Sequence, residues 1–440
     1  MFEKAIVDQN PHWDGELYDS GVQRNVLETL EEYLDTRQII AITGVRRCGK
    51  STLLRQILNY IVRERNISPV DILFLNLENP YFTPFRKDVR NLERIFEDYL
   101  SLVNPKGKIF VFLDELQYFS DWQVFVKSKY ETGNIKFIVT GSNSRLLSSD
   151  LITLLSGRVF PVVLYPFNFR EYLLAKGMKI VSKHGVIRYR NRLRKLCDEY
   201  LSEGGFPEVV LTEKKRLKKE ILAGYAKSIL YQDIMPRFEL KKPYEIENLF
   251  FYLISNIGGL FTFNKLAGLV ELSDKTVKDY LKYFNDAYLL DMLERYDFSV
   301  KKQIKSARKI YCVDHGLAAS VSFSFSENVG HYLENAIFSE FARSSKKVYY
   351  YRTKNGFEVD FYCPDAIDAE RLIQVCADVR SEKTSEREIR AIIHASDELN
   401  LPGGIIVTID EEDDIKEKGK FIKMIPIWKY LIEKKENNIQ

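Results

Sequence analysis

Between residues 38 and 140, short runs of almost unbroken apolar residues alternate with segments whose apolar positions recur every three or four residues. The runs are 38–43, 70–77, 108–113 and 135–140; the helical segments are Ser51 to about Glu64, 91–103 and 121–132. Strands with almost no polar alternation, separated by helices, predict a parallel sheet covered on both faces, an α/β unit. From about Phe167 to Phe238 the spacing is helical and more charged. There, residues 176–196 hold eight Lys/Arg and no acid, which reads as a solvated helical surface or as a patch that tracks phosphates.

Pro243 marks a boundary, followed by apolar-periodic helices at 245–257, 262–270 and 273–287, the last with Ser273 as its N-cap. Strand-like stretches near 288–296 and 308–313 follow, with Lys301, Lys302 and Lys305 between them. Helix, helix, helix, strand, loop, strand is the order of a winged helix-turn-helix. From near Ser326 the pattern gives a helix at 330–343, strands near 347–351, 357–363 and 371–376, a helix at 384–399 and a strand at 404–409. Residues 410–414 read as an acidic loop or helix start. The expected organisation is 1–165, an α/β core; 166–240, a helical lid; 241–320, a winged helix-turn-helix; and 326–440, an α+β domain.

A chain of 440 residues fits about two to four such domains. A hydrophobic fraction of 45% with 29% charged residues excludes disordered and collagen-like classes. Five cysteines, Cys48, Cys197, Cys312, Cys363 and Cys376, are scattered with no C-x-x-C pair, which argues against a disulfide scaffold or zinc finger. The net charge of +3 does not by itself announce a nucleic-acid partner. No apolar run approaches the ~18 residues of a membrane span, and the first residues lack a secretory layout. A soluble, cytoplasmic protein with no membrane contact is expected.

The strongest chemical signal is Gly44-Val45-Arg46-Arg47-Cys48-Gly49-Lys50-Ser51, which fits G-x-x-x-x-G-K-[ST] between a buried strand and a helix. Gly44 and Gly49 let the backbone curl so that its N–H groups face phosphate oxygens. The helix N-terminus adds partial positive charge. Lys50 can neutralise β- and γ-phosphate charge, the Ser51 hydroxyl can ligate Mg²⁺, and Thr52 extends the helix start. Phe110-Val111-Phe112-Leu113-Asp114-Glu115 puts two carboxylates at the end of a core strand. Asp114 can hold the Mg²⁺ shell and Glu115 can accept a proton from an attacking water. The strand 135–140 runs into Thr140-Gly141-Ser142-Asn143-Ser144, where Ser142 or Asn143 could orient that water or sense the γ-phosphate. A plain turn explains the same letters.

Together these residues resemble the AAA-type ATPase superfamily. The whole chain is similar to a prokaryotic family that joins a small AAA domain to a winged helix and a restriction-endonuclease-like fold. The resemblance rests on Thr43 to Leu54, Leu113-Asp114-Glu115-Leu116-Gln117 with Trp122 following, Thr140 to Ser144, Ser156-Gly157-Arg158, Gly204-Gly205-Phe206-Pro207-Glu208, Tyr231-Gln232-Asp233-Ile234, Val329 to Asn335 and Glu358-Val359-Asp360-Phe361. It implies ATP and Mg²⁺, with hydrolysis to ADP and phosphate. It also implies an arginine finger at Arg158, acting in its own chain or across a contact in a homo-oligomer, or else an Arg paired inside its own domain. Gly205-Phe206-Pro207 looks like an element that places Pro207 near the base; it also reads as a helix-connecting turn.

Lys275, Lys278 and Lys282 share one face of the 273–287 helix, opposite Val277, Tyr280, Leu281 and Phe284. That face suits DNA, and equally a solvated surface. In the last segment Glu334 and Asp360 fill the first two places of a nuclease set, but Gln374-Val375-Cys376 stands where Glu-x-Lys belongs. Gln lacks the carboxylate and Cys the ammonium, so nuclease activity is not expected. Glu358 and Asp360 share a strand face and could bind a divalent ion weakly. The leading expectation is an ATP-driven switch acting on a DNA or protein partner. An ATP-gated nuclease and a non-hydrolysing interaction protein are the alternatives.

Overall fold

The computed structural model describes residues 1–142, 155, 157–180, 182–236, 243–322, 329–344, 346–377 and 382–433. Asn143, Ser144 and Ser156 lie outside them. The chain divides into two units, Met1–Tyr165 and Pro166–Gln440. Among the described residues no helix is long and apolar enough to cross a membrane.

In the first unit, β1 (Ile39–Thr43), β2 (Ile72–Asn76), β3 (Ile109–Asp114), β4 (Ile135–Gly141) and β5 (Val159–Val163) form a parallel sheet in the order β2-β3-β4-β1-β5. Every residue of β1 and β4 is buried, as the unbroken apolar runs require. Ala41, Leu73, Leu75, Val111, Leu113, Phe137 and Val139 share a core with Leu92, Ile95 and Phe96 of the helix Arg90–Val103 and Phe125 and Val126 of Trp122–Glu131. The helix Lys50–Glu64 packs on β3 and β4. The register sets Thr43 opposite Gly141 and Leu113 opposite Val139. The ends of β1, β3 and β4 therefore meet at one edge, where open α/β sheets bind ligands.

No apolar pattern marks an element before residue 38, yet the first eighteen residues close the outer edge of β2. Asn10 accepts from Phe74 N at 2.7 Å and donates to Phe74 O at 2.9 Å. Gln9 Oε1 accepts from Asn76 N at 2.6 Å, and Trp13 Nε1 donates to Ile72 O at 2.8 Å. Side-chain amides thus stand in for a neighbouring strand. The opposite edge strand, β5, carries Pro161, a residue tolerated only where no ladder bond is needed.

Among the described residues the second unit holds two sheets. β6 (Leu260–Phe261), β7 (Leu290–Leu293) and β8 (Arg308–Cys312) are antiparallel in the order β6-β8-β7. They accompany the helices Pro243–Ser255, Phe263–Leu269 and Asp274–Asp286, and Ser273 Oγ accepts from Thr276 N at 3.1 Å as the N-cap. Between β7 and β8 runs a helix, Val300–Lys305, where the pattern gives only a loop. Its apolar residues Val300 and Ile304 face solvent, so no buried stripe marks it.

The second sheet is mixed: β9 (Tyr349–Arg352), β10 (Glu358–Tyr362), β11 (Leu372–Cys376), β12 (Gly403–Thr408), β13 (Asp413–Glu417) and β14 (Lys420–Pro426) lie in the order β13-β14-β12-β11-β10-β9. Of the acidic stretch, residues 410–412 are the loop expected, but Asp413 and Asp414 begin an edge strand rather than continuing it. Lys418 and Gly419, at φ +48° and +76°, make a two-residue turn into β14. The charges fit the exposed edge. The helices Arg190–Glu203 and Lys215–Ser228 pack on His315–Val321. Gly205 N donates to Asp314 Oδ2 at 2.7 Å, and a Cβ on Gly204 (φ +77°) would lie 2.0 Å from Asp314 Oδ1. Glycine is therefore required at that turn by packing within this unit.

Removing the β2 edge cap leaves Phe74 N and O buried and unmet. Asn10→Ala is expected to lower stability by about 2–3 kcal/mol, read as an earlier urea midpoint.

Candidate functional site

At the C-terminal edge of the first sheet the chain leaves β1 at Thr43 and turns through residues 44–49 into the helix Lys50–Glu64. Gly44 has φ +147°, and a Cβ there would lie 2.1 Å from Leu164 O. Arg47 and Gly49 have φ +70° and +101°. The turn is clamped from behind by Arg24, itself 3% exposed. Arg24 Nη1 donates to Cys48 O at 2.9 Å and Nη2 to Tyr165 O at 2.6 Å. Val45 and Cys48 are fully buried, and burial pushes the Cys48 thiol up, so it serves packing. Arg46 pairs with Glu78 at 2.9 Å.

Lys50 is held at the centre of the turn. Its Nζ donates to Gly44 O and Val45 O, both at 3.2 Å, and stands 3.6 Å from Glu115 Oε1. Ser51, in the first helical turn beside Thr52, hydrogen-bonds the Asp114 carboxylate. Asp114 is 1% exposed. Burial, and then the neighbouring Glu115, push its carboxyl up, against Ser51, Thr140 and Lys50. Glu115 adopts a left-handed backbone (φ +56°, ψ +48°), a conformation costing of order 1–3 kcal/mol at a non-glycine residue.

Thr140 ties the two acids to β4. Its Oγ1 donates to Asp114 Oδ1 at 2.5 Å and accepts from Glu115 N at 2.9 Å. Gln117 makes a second tie, its Nε2 donating to Glu115 Oε2 and, at 3.2 Å, to Ser142 Oγ. The structure thus brings Lys50, Ser51, Asp114, Glu115 and Ser142 together. Motif reading passes over Arg24, Thr140 and Gln117. For Thr140 and Gln117 the signal is their place beside named motif residues; Arg24 has none. The residues fit a polyphosphate with a divalent cation: a turn with left-handed backbone at Arg47 and Gly49 leading into a helix N-terminus, a central ammonium, and two adjacent acids, of which Asp114 is backed by the Ser51 and Thr140 hydroxyls.

The other expected site residues lie elsewhere. Arg158 precedes β5, whose first residue pairs with Ile39 at the start of β1. It is therefore a strand length, roughly 16 Å, from the phosphate edge of its own unit. It pairs with Glu131 at 3.4 Å and lies over the Tyr130 ring. Pro207, in the second unit, is the first residue of the helix Pro207–Leu211, directly after the Gly204–Gly205 turn. Lys275, Lys278 and Lys282 are exposed on the helix Asp274–Asp286, and Lys278 pairs with Asp274 at 2.6 Å.

In the second unit, Glu334 of the helix Val329–Arg343 and Asp360 of β10 do come together, with Glu358, in a cleft of about 480 Å³. A cation already sits among them. Lys309 Nζ, from β8, lies 2.9 Å from Glu334 Oε1, Glu358 Oε1 and Asp360 Oδ1. Burial would raise Glu334, but Lys309 holds it below the usual range; burial, with Glu334 beside it, pushes Asp360 up. Gln374 accepts from Asp360 N and donates to Glu388 Oε2. Among the described residues no group of three or more His, Cys, Asp or Glu is arranged to hold a metal. The cleft does not fit a nuclease-type metal centre, because a side-chain ammonium stands in its place.

Residues 36–173 match a family described as an AAA domain, and 194–328 and 329–430 match two domain families of unknown function. The uncharacterised protein MJ1544 of Methanocaldococcus jannaschii is 32% identical over 445 residues, covering 98% of this chain and 95% of that protein. An uncharacterised Haemophilus influenzae protein is 31% identical over 380 residues, covering 85% and 90%. The Aeropyrum pernix Orc1 protein, solved in complex with DNA, overlays with a TM-score of 0.33 at 11% identity, covering 68% of this chain and 92% of that one.

The Lys309 cluster gives a direct test. Lys309→Met strands three carboxylates and is expected to cost about 3–5 kcal/mol. Adding Glu334→Gln should recover part of that loss in urea unfolding.

Proposed function

Because this chain belongs to the same family as MJ1544, and carries an AAA domain, we propose that it is an Mg²⁺-dependent ATPase whose turnover drives a switch acting on DNA. The five-stranded parallel sheet with its flanking helices fits a P-loop AAA fold. One observation carries the reading: Lys50, Ser51, Asp114 and Glu115 converge at one strand edge, with Lys50 Nζ 3.6 Å from Glu115 Oε1.

In this reading the backbone N–H groups of residues 44–51 receive the phosphates. Lys50 leaves the Gly44 and Val45 carbonyls for the β- and γ-phosphate oxygens. Mg²⁺, when bound through Ser51 and Asp114, supplies positive charge to the transferring phosphate. Glu115 takes a proton from the water whose oxygen attacks the terminal phosphorus as the bond to ADP breaks. Ser142 contacts the terminal phosphate. Arg158, at the far edge of its own sheet, acts across a contact between copies.

A DNA partner is supported by exposed lysines on two helices linked through a chain of side-chain contacts. Lys278 and Arg308 lie over the same Phe263 ring, at 5.0 and 4.8 Å. Glu294 pairs with Arg308 and accepts from Gln303 of the helix Val300–Lys305. Exposed Lys275, Lys278, Lys282, Lys301, Lys302 and Lys305 are carried on the two helices so joined. The order of helices and strands there supports a winged helix.

Steady-state phosphate release with Mg-ATP tests the core of the reading. Lys50→Ala and Glu115→Gln should each lower turnover by about 10²-fold or more; retained turnover sinks the assignment. Duplex DNA should stimulate the wild type. Replacing both Lys275 and Lys282 by Ala should reduce the salt slope of DNA binding by about two, whereas an unchanged slope moves the partner to protein. Mixing inactive Arg158→Ala with inactive Lys50→Ala should restore turnover, since one copy keeps the turn and its neighbour keeps the arginine. No recovery at any ratio argues against action between copies.

A further inference from the structure

We propose that the arginines around Tyr189, on the helices Lys183–Arg188 and Arg190–Glu203, form a binding surface for single-stranded nucleic acid. This rests neither on the hydrolysis reading nor on the helix Asp274–Asp286. The segment 176–196 holds eight Lys/Arg and no acid. Lys176 turns inward, its Nζ donating to Val210 O at 2.8 Å; the other seven are exposed. Among the described residues, Arg194 alone of the seven has an ion-pair partner, Asp410. The helix Lys183–Arg188 buries none of its residues. The helix Arg190–Glu203 is anchored along one stripe by Leu193, Leu196, Cys197 and Tyr200. Helical spacing then sets Arg190 and Arg194 on one flank of the stripe, and Arg192 and Lys195 on the other.

This placement works against the fold taken alone. Arg190 and Arg192 stand in the first turn of their helix, where the macrodipole disfavours positive charge. Arg190 and Arg194, four residues apart, repel each other. An anionic chain relieves both. Arginine suits a phosphodiester, because its planar fork can donate two parallel bonds to one phosphate. Tyr189, between the two helices, narrows the class. Its ring is 42% exposed, and the Arg188 guanidinium lies over it at 5.7 Å from the centroid. A flat aromatic face among cations stacks an unpaired base, whereas a duplex keeps its bases inside. An anionic membrane calls for a broad apolar face, and on these two helices Ile187 is the other large apolar side chain that is exposed.

The experiment follows fluorescence anisotropy of labelled oligo(dT) with the full-length protein across a salt series. The variants are Arg188→Ala with Arg192→Ala, Tyr189→Ala and Tyr189→Phe, and urea midpoints identify those that fold as the wild type does. The wild type should bind, with affinity falling as salt rises. The double arginine variant should reduce the salt slope by about 1.4, two contacts at about 0.7 each on a single strand. Tyr189→Ala should weaken binding about tenfold or more at an unchanged slope, and Tyr189→Phe should stay within about twofold of the wild type. Wild-type affinity in Tyr189→Ala overturns the single-strand assignment and leaves a surface for phosphates alone. An unchanged slope in the double arginine variant overturns the surface itself, as does loss of oligo(dT) binding only when Lys275 and Lys282 are replaced. A wild type that sediments with vesicles of phosphatidylcholine and phosphatidylserine but does not bind oligo(dT) overturns the proposal in favour of a membrane, and binding to neither overturns it outright.

Discussion

The chemistry of the first unit depends on where β4 lies. Placed between β1 and β3, it carries Thr140 to the point where one hydroxyl donates to Asp114 and accepts from the Glu115 amide. That pair of bonds fixes the Asp114 carboxylate and the Glu115 backbone, against the burial and the neighbouring charge that push the Asp114 carboxyl up. The left-handed backbone at Glu115 is sustained by the same contact. From it follow the reach of Ser51 to Asp114, the distance of Lys50 from Glu115, and the bridge made by Gln117.

The second unit solves a similar problem of crowded acids differently. Glu334, Glu358 and Asp360 converge in a half-enclosed cleft. Removing such charges from water costs several kcal/mol per ion unless a partner stands close. The partner is Lys309, brought in from β8 of the other sheet, with the Tyr311 hydroxyl also donating to Glu334. The two sheets of this unit are joined through that ammonium as well as through the backbone bonds between 294–296 and Tyr350. An ammonium offers three directed bonds and cannot exchange with solvent ions. The cluster therefore works as a joint.

Much of this was legible in the letters where function and local pattern coincide. The turn at 44–51, the apolar runs of β1, β3 and β4, and the acids ending β3 are all read from contiguous residues. The absence of a nuclease acid at Gln374 was legible for the same reason. What escaped depends on partners distant in the chain. Arg24 clamps the carbonyl of Cys48, and Lys309 belongs to a strand some twenty-five residues before the first acid it meets. Nothing in the spacing of either marks its role. The edge strand at 413–417 escaped because its exposed charges suppress the alternation that identifies a strand, and the helix Val300–Lys305 because its apolar side faces water.

The sealed margin of β2 also bears on how copies of this chain can associate. Gln9, Asn10 and Trp13 satisfy its outward amides and carbonyls, and β5 presents a proline on the opposite side. Neither border of the sheet invites a strand from a neighbour, so growth by continuous β-pairing is disfavoured. A copy docking on this sheet would have to use helices, loops or strand ends instead. Contacts of that kind can open and close without breaking a hydrogen-bonded ladder, so the sheet of each protomer would stay intact through them.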